Sequence, residues 1–174
     1  MNHNDTTICL QPVGYVKNKA EEAVWGENYS SLDWQERAVR MKAQLEDISE
    51  VVIDKRFTEM LDGVEEFSHL VVCYFAHRAP DDKPLAPKVH PMGNKDFPLV
   101  GIFATHSPLR PNGILFTTVK LKERQGNVLR VTGLDALNGS PILDIKPYHP
   151  GPADAENVRV PAWRKELHSR FDSR

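Results

Sequence analysis

Apolar and polar residues alternate along much of this chain. Residues 8–17, 48–53, 69–77, 99–105, 114–122, 128–132 and 142–145 form short runs rich in Val, Ile, Leu, Phe and Tyr, most of them separated by turn residues. A period of two in such runs predicts half-buried strands, and so many of them predict an all-β domain, a barrel or a sandwich. Helical spacing is confined to residues 34–45, a short turn near 58–61, and 162–171. In the last segment Trp163, Leu167 and Phe171 recur every four residues, giving one apolar stripe that predicts docking on the barrel wall.

The run at 69–77 is apolar on both parities, with Phe67, Val71, Cys73 and Phe75 on one face and Leu70, Val72 and Tyr74 on the other. That pattern predicts a central strand. His69 and His77 share a parity, but eight residues at about 3.3 Å each hold them roughly 26 Å apart, so they cannot share a metal ion. The stretch 78–98 carries Pro80, Pro84, Pro87, Pro91 and Pro98, which exclude a helix or a central strand and predict a long loop. Arg78, Lys83, Lys88, His90 and Lys95 stand there against Asp81, Asp82 and Asp96, so the loop either faces a substrate or is simply solvated.

At 174 residues the chain suits one domain with a continuous core over about 12–150 and a tail at 151–174. No stretch approaches the ~20 apolar residues of a membrane helix, and the first residues are polar where an export signal is apolar. A cytoplasmic protein away from the membrane is expected. Cys9 and Cys73 each lie in an apolar run, which predicts two buried thiols and no disulfide. The formal charge is −2, so no global positive field gathers nucleic acid, and any RNA contact has to be local.

Common cofactor signatures are absent: no G-x-G-x-x-G after a strand, no P-loop, no paired C-x-x-C, no H-E-x-x-H. No metal is expected, and the lack of alternating strands and helices argues against a Rossmann-type enzyme. Three strand ends carry polar groups instead. The first runs from Gly101 through His106, Arg110 and Asn112 to Gly113, and its Pro-Asn-Gly suits a tight turn. The second, Thr132-Gly133-Leu134-Asp135, combines a glycine that admits close backbone approach with two acceptor oxygens suited to a ribose diol or an ammonium group; the carboxylate equally suits a cap on its own loop. The third places Asp144 and Lys146 on one face, where they are expected to pair.

Together with Pro12-Val-Gly14 and Gly63-Val-Glu-Glu-Phe67-Ser68-His69-Leu70, the blocks Gly101-Ile-Phe-Ala-Thr105, Ser107-Pro108, Arg110-Pro111-Asn112, Gly133-Leu-Asp135, Gly139-Ser-Pro141 and Asp144-Ile-Lys-Pro-Tyr148 resemble the TrmO/TsaA-like family, also called YaeB-like or VirR-like, of S-adenosylmethionine-dependent tRNA methyltransferases. The resemblance covers about residues 12–150. It implies a single-sheeted β-barrel, a homodimer, S-adenosyl-L-methionine as cofactor, and methyl transfer to N6 of a threonylcarbamoylated adenosine beside the tRNA anticodon. Carried over by position, it implies cofactor contacts at Asn18, His77, Arg78, His106, Phe116 and the segment Thr132, Gly133, Leu134 and Asp135.

Two departures from the family pattern bear on substrate. His106 stands where the pattern A-T-R-S-P has arginine, so a permanent, fork-shaped cation becomes an imidazole. Gly113 stands where R-P-N-P-I-G has its second proline. The chain is also expected to lack the additional C-terminal domain of longer bacterial members, which is associated with tRNA contact. Asp135 and His106 are the candidate catalytic groups, as acceptors of the proton that the methylated nitrogen gives up, with His77 a further possibility. Arg110 and Asn112 are the candidate substrate contacts, Arg110 because its planar fork matches phosphate or carboxylate. Methylation of a small molecule or another RNA, and ligand sensing without catalysis, stand as alternatives.

Overall fold

The computed structural model describes residues 7–22, 34–79, 86–149 and 159–172. In chain order the elements are β1 (Gly14–Lys17), α1 (Trp34–Glu46), β2 (Ser49–Ile53), β3 (His69–Phe75), β4 (Lys88–Val89), β5 (Val100–Gly101), β6 (Ile114–Gln125), β7 (Val128–Thr132), β8 (Pro141–Pro147) and α2 (Ala162–Asp172). Strands β1, β2, β7, β6, β3 and β8, in that spatial order, close into an antiparallel barrel, while β4 and β5 form a separate two-stranded ribbon. Closure leaves the barrel strands no free edge. The fold is therefore the all-β barrel with peripheral helices that the alternation predicts.

Alternate residues of each strand fill the interior. Val16, Val51, Leu70, Val72, Val119, Leu129, Val131 and Ile142 are fully buried, and each such side chain contributes about 1.5–3 kcal/mol of burial energy. β3 is central, flanked by β6 and β8. Its inward parity is Leu70, Val72 and Tyr74. Gly14 sits where β1 crosses β2 so closely that a Cβ would lie 2.2 Å from the Val52 carbonyl oxygen.

Some elements end elsewhere than the pattern predicts. The run 8–17 pairs only from Gly14, and Ile8 and Leu10 are exposed. Pro12 cannot donate to a ladder, and the β1–β8 register extends only over Gly14 and Tyr15. Residues 99–105 pair only at Val100 and Gly101 before a 3₁₀ turn, Ile102–Ala104, bends the chain away. The stretch 78–98 contains no barrel strand among its described residues; residues 80–85 lie outside them. Cys9 is exposed, contrary to expectation, because its segment joins no sheet, whereas Cys73 is buried; neither forms a disulfide.

On α2, Leu167 of the predicted stripe is buried, and Arg170 lies over the ring of Phe97 at 5.0 Å and 3.8 Å from Asp96. Phe97, itself only 2% exposed, is buried within the proline-rich segment and is not part of the barrel-core cluster. The side chain of Phe171, the third stripe residue, lies outside the described set.

Candidate functional site at the barrel rim

The chain leaves β7 at Thr132 and closes one end of the barrel. Gly133 takes a φ of +87°, open to glycine at little cost, and its N–H donates to the Leu45 carbonyl at the end of α1 (2.7 Å). Leu134 and Ala136 then plug the core at 1% and 4% exposure. Asp135, between them, faces outward and is exposed. Its backbone carbonyl accepts from the Tyr74 hydroxyl, which also meets Thr117 Oγ1 at 3.1 Å. Surrounding protein pushes the Asp135 carboxyl above the usual carboxylate range, and His106 partly offsets this. The influence of His106 on this carboxyl places the two groups within electrostatic reach.

A polar network fastens this segment to the ends of β1 and β3. Asn18 Nδ2 donates to the Ala136 carbonyl (2.9 Å) and to Ser49 Oγ (3.1 Å), while its Oδ1 accepts from the Ala20 N–H (3.0 Å). Asn138 accepts from the Asn18 N–H and donates to Glu21, and Glu21 pairs with Arg78. The Asn18 amide is thus spent on protein partners and shapes the rim. His77 meets Ser140 Oγ through Nδ1 at 3.2 Å and lies beside Gly139. Burial, helped by the Arg78 charge, lowers its pKa, so its ring is neutral at pH 7.

The loop after β5 completes the rim. His106 is exposed. Arg110 Nη1 donates to the carbonyls of Thr105 (2.8 Å) and Ser107 (3.4 Å), so this fork clasps its own loop. The Gly113 N–H returns to the Arg110 carbonyl and the Ala76 N–H donates to Gly113, tying the turn to the end of β3. Asn112 is exposed on that turn. Phe116 stands apart: it pairs with Cys73 on the outward parity of β6 and is 59% exposed, while its neighbour Thr117 points inward to Tyr74.

An open groove of about 440 Å³ lies on the outside of the barrel, lined in part by His69, Thr118, Lys120, Lys122 and Glu46. It meets the predicted cofactor segment at Thr132 and Gly133, and Asp135 is not among its lining residues. Neither this groove nor the supports Tyr74, Thr117, Ser49 and Asn138 emerged from sequence. The lysines alternate on β6 like any solvated strand face, and only strand pairing sets His69 and Thr132 beside Lys120. Asp144 and Lys146 pair at 2.7 Å as expected. Among the described residues no three His, Cys, Asp or Glu side chains converge as metal ligands, and no helix is long and apolar enough to cross a membrane.

Residues 35–154 match the family model described as the tRNA-methyltransferase O N-terminal domain. A probable S-adenosyl-L-methionine-binding protein of Pyrococcus abyssi is 35% identical over 162 residues, covering 92% of this chain and 79% of the relative. Another probable S-adenosyl-L-methionine-binding protein, from Methanothermobacter thermautotrophicus, is 43% identical over 150 residues, covering 84% of this chain and 93% of the relative. The crystal structure of TrmO from Pseudomonas aeruginosa superposes with a TM-score of 0.62 at 25% identity, covering 88% of this chain and 62% of that one.

Proposed function

The chain belongs to the tRNA-methyltransferase O N-terminal domain family, and on that premise we propose that it is an S-adenosyl-L-methionine-dependent methyltransferase acting at N6 of a threonylcarbamoylated adenosine beside a tRNA anticodon. The observation that carries the proposal is the turn after β7, where Gly133 takes a φ of +87° and Asp135 stands outward between the buried Leu134 and Ala136. The donor set fits the cofactor: an outward carboxylate for hydroxyl or ammonium groups, backbone at Gly133 that a ligand can approach closely, and a neutral imidazole at His77.

When bound, S-adenosyl-L-methionine supplies a methyl group already activated by its positive sulfur. The protein's work is then mainly alignment, which by itself removes much of a barrier. Asp135 and the Thr132–Leu134 backbone would hold the donor side, and the Tyr74 hydroxyl keeps the Asp135 backbone in place. The acceptor nitrogen loses one proton as it gains the methyl group, and His106, exposed on the loop after β5, is the side chain to accept it. Asn112 and the free edge of Arg110 face the RNA. The two lysines of the outer groove, Lys120 and Lys122, which share it with Glu46, give RNA phosphates a local foothold that the overall charge of −2 does not.

The same proposal includes a cytoplasmic homodimer, for which Phe75 and Phe116, exposed on the outside of the sheet at 39% and 59%, are the surface a second copy would cover. Size-exclusion chromatography with light scattering tests that part. The activity is tested by incubating the protein with methyl-labelled cofactor and total tRNA, then analysing the nucleosides. Label on threonylcarbamoyladenosine supports the assignment. Label only in a metabolite fraction or another RNA moves the substrate, and tight cofactor binding without turnover makes the chain a sensor.

A further inference from the structure

Phe103, on the loop that carries His106, has 76% of its surface exposed. The backbone that carries this ring is held in place. Phe103 is the middle residue of the 3₁₀ turn Ile102–Ala104, whose first side chain, Ile102, is buried. The Ile102 N–H donates to the Pro87 carbonyl (3.0 Å), and the Thr105 N–H and Oγ1 both return to the Ile102 carbonyl (3.1 and 2.8 Å). Arg110 holds the far side through the Thr105 carbonyl at 2.8 Å. The turn is pinned at both ends with its ring outward.

The guanidinium of Arg110 lies 5.7 Å from the centre of that ring. A cation therefore backs the aromatic ring, which is otherwise largely open. An aliphatic partner has no use for the cation. A partner that combines a flat π-system with a nearby negative charge uses both groups, and a nucleobase on its phosphate backbone is such a partner.

We propose that Phe103 is a stacking shelf for an unpaired nucleobase of the RNA substrate, with Arg110 supporting the ring and attracting the adjoining phosphate. This rests on the RNA reading above. His106 is three positions beyond Phe103, at most about 11 Å of chain, so the stacked base is a near neighbour of the one that is methylated.

The test uses the full chain and a fluorescent anticodon stem-loop RNA, with Phe103→Ala and Phe103→Trp as variants. Affinity for the RNA, affinity for S-adenosyl-L-methionine, Tm and oligomeric state are measured for each. Phe103→Ala is expected to weaken RNA binding about 5- to 150-fold, with Tm and cofactor affinity unchanged, and Phe103→Trp to retain binding. Should Phe103→Ala bind and methylate RNA like the parent, the shelf is overturned while the methyltransferase reading stands. If the parent neither binds nor methylates RNA, both fall. Conversion of a dimer to a monomer with unaltered RNA affinity would assign the ring to a subunit contact and likewise overturn the shelf.

Discussion

The Tyr74 hydroxyl donates to the backbone carbonyl of Asp135, joining a central strand of the barrel to the one residue of the closing loop that turns its carboxylate outward between two plugs. Burial pushes the Tyr74 phenol far up, with the Asp135 charge adding to the effect, so it stays a donor through the neutral and mildly alkaline range. Replacing Tyr74 with Phe removes this bond and the contact to Thr117 while keeping the ring. We expect a loss of about 1 kcal/mol in denaturant unfolding and a roughly three- to tenfold weaker affinity for S-adenosyl-L-methionine by calorimetry. Unchanged cofactor affinity would separate Asp135 from the binding rim.

Two rim groups make opposite contributions to the pH dependence of stability. The folded pKa of His77 is lowered, chiefly by burial, so its contribution is full above the ordinary histidine value of about 6.5 and is lost as pH falls through the lower folded value. Asp135 is raised, so its contribution is full below the ordinary carboxylate value of about 4 and is lost as pH rises through the folded value. Asp135→Asn should therefore melt higher than the parent at pH 7, with the gain vanishing in acid. His77→Asn should flatten the fall in Tm below about pH 6.5. Thermal melts across pH check both signs.

Glycine is required at Gly14 for space and favoured at Gly63 for conformation. A methyl group at Gly14 would collide with the backbone of Val52 and Ile53, whereas at Gly63, with φ of +87°, it would meet nothing within 4 Å. Gly14→Ala is expected to cost about 3 kcal/mol or prevent folding, and Gly63→Ala about 1 kcal/mol. Chemical denaturation of both variants gives the comparison, and equal losses would refute the close approach of β1 to β2.

If the outer groove meets RNA, Lys120 and Lys122 act as phosphate contacts. The double variant Lys120→Ala/Lys122→Ala should then weaken RNA binding and lower the steepness of log K against log salt by about 1.5. Cofactor affinity should not move. A salt slope identical to the parent's removes the groove from the RNA path.

Much of the fold was legible because alternation is a local property. β7 appears where its pattern places it, and β2 and α1 fall within a residue of theirs at each end. Endings were harder, since a strand stops where its partner stops. Residues 8–13 alternate well enough but stay out of the sheet, and the bend after Gly101 depends on Ile102 reaching a buried position. At the rim, the types of residue in 132–135 and the His106 loop were readable as candidate chemistry. Their meeting was not, because it depends on loops from distant parts of the chain closing one end of a barrel.

Side-chain periodicity, composition and ordered motif blocks were enough to specify an all-β chain and its family, since each is written over neighbouring residues. The closing of the sheet, the engagement of Asn18 with protein partners, the outward turn of Asp135 above Tyr74 and the exposure of Phe103 beside Arg110 were decided by packing. Contacts between residues tens of positions apart follow from register and burial, and one strand's pattern carries no record of which strand will lie beside it.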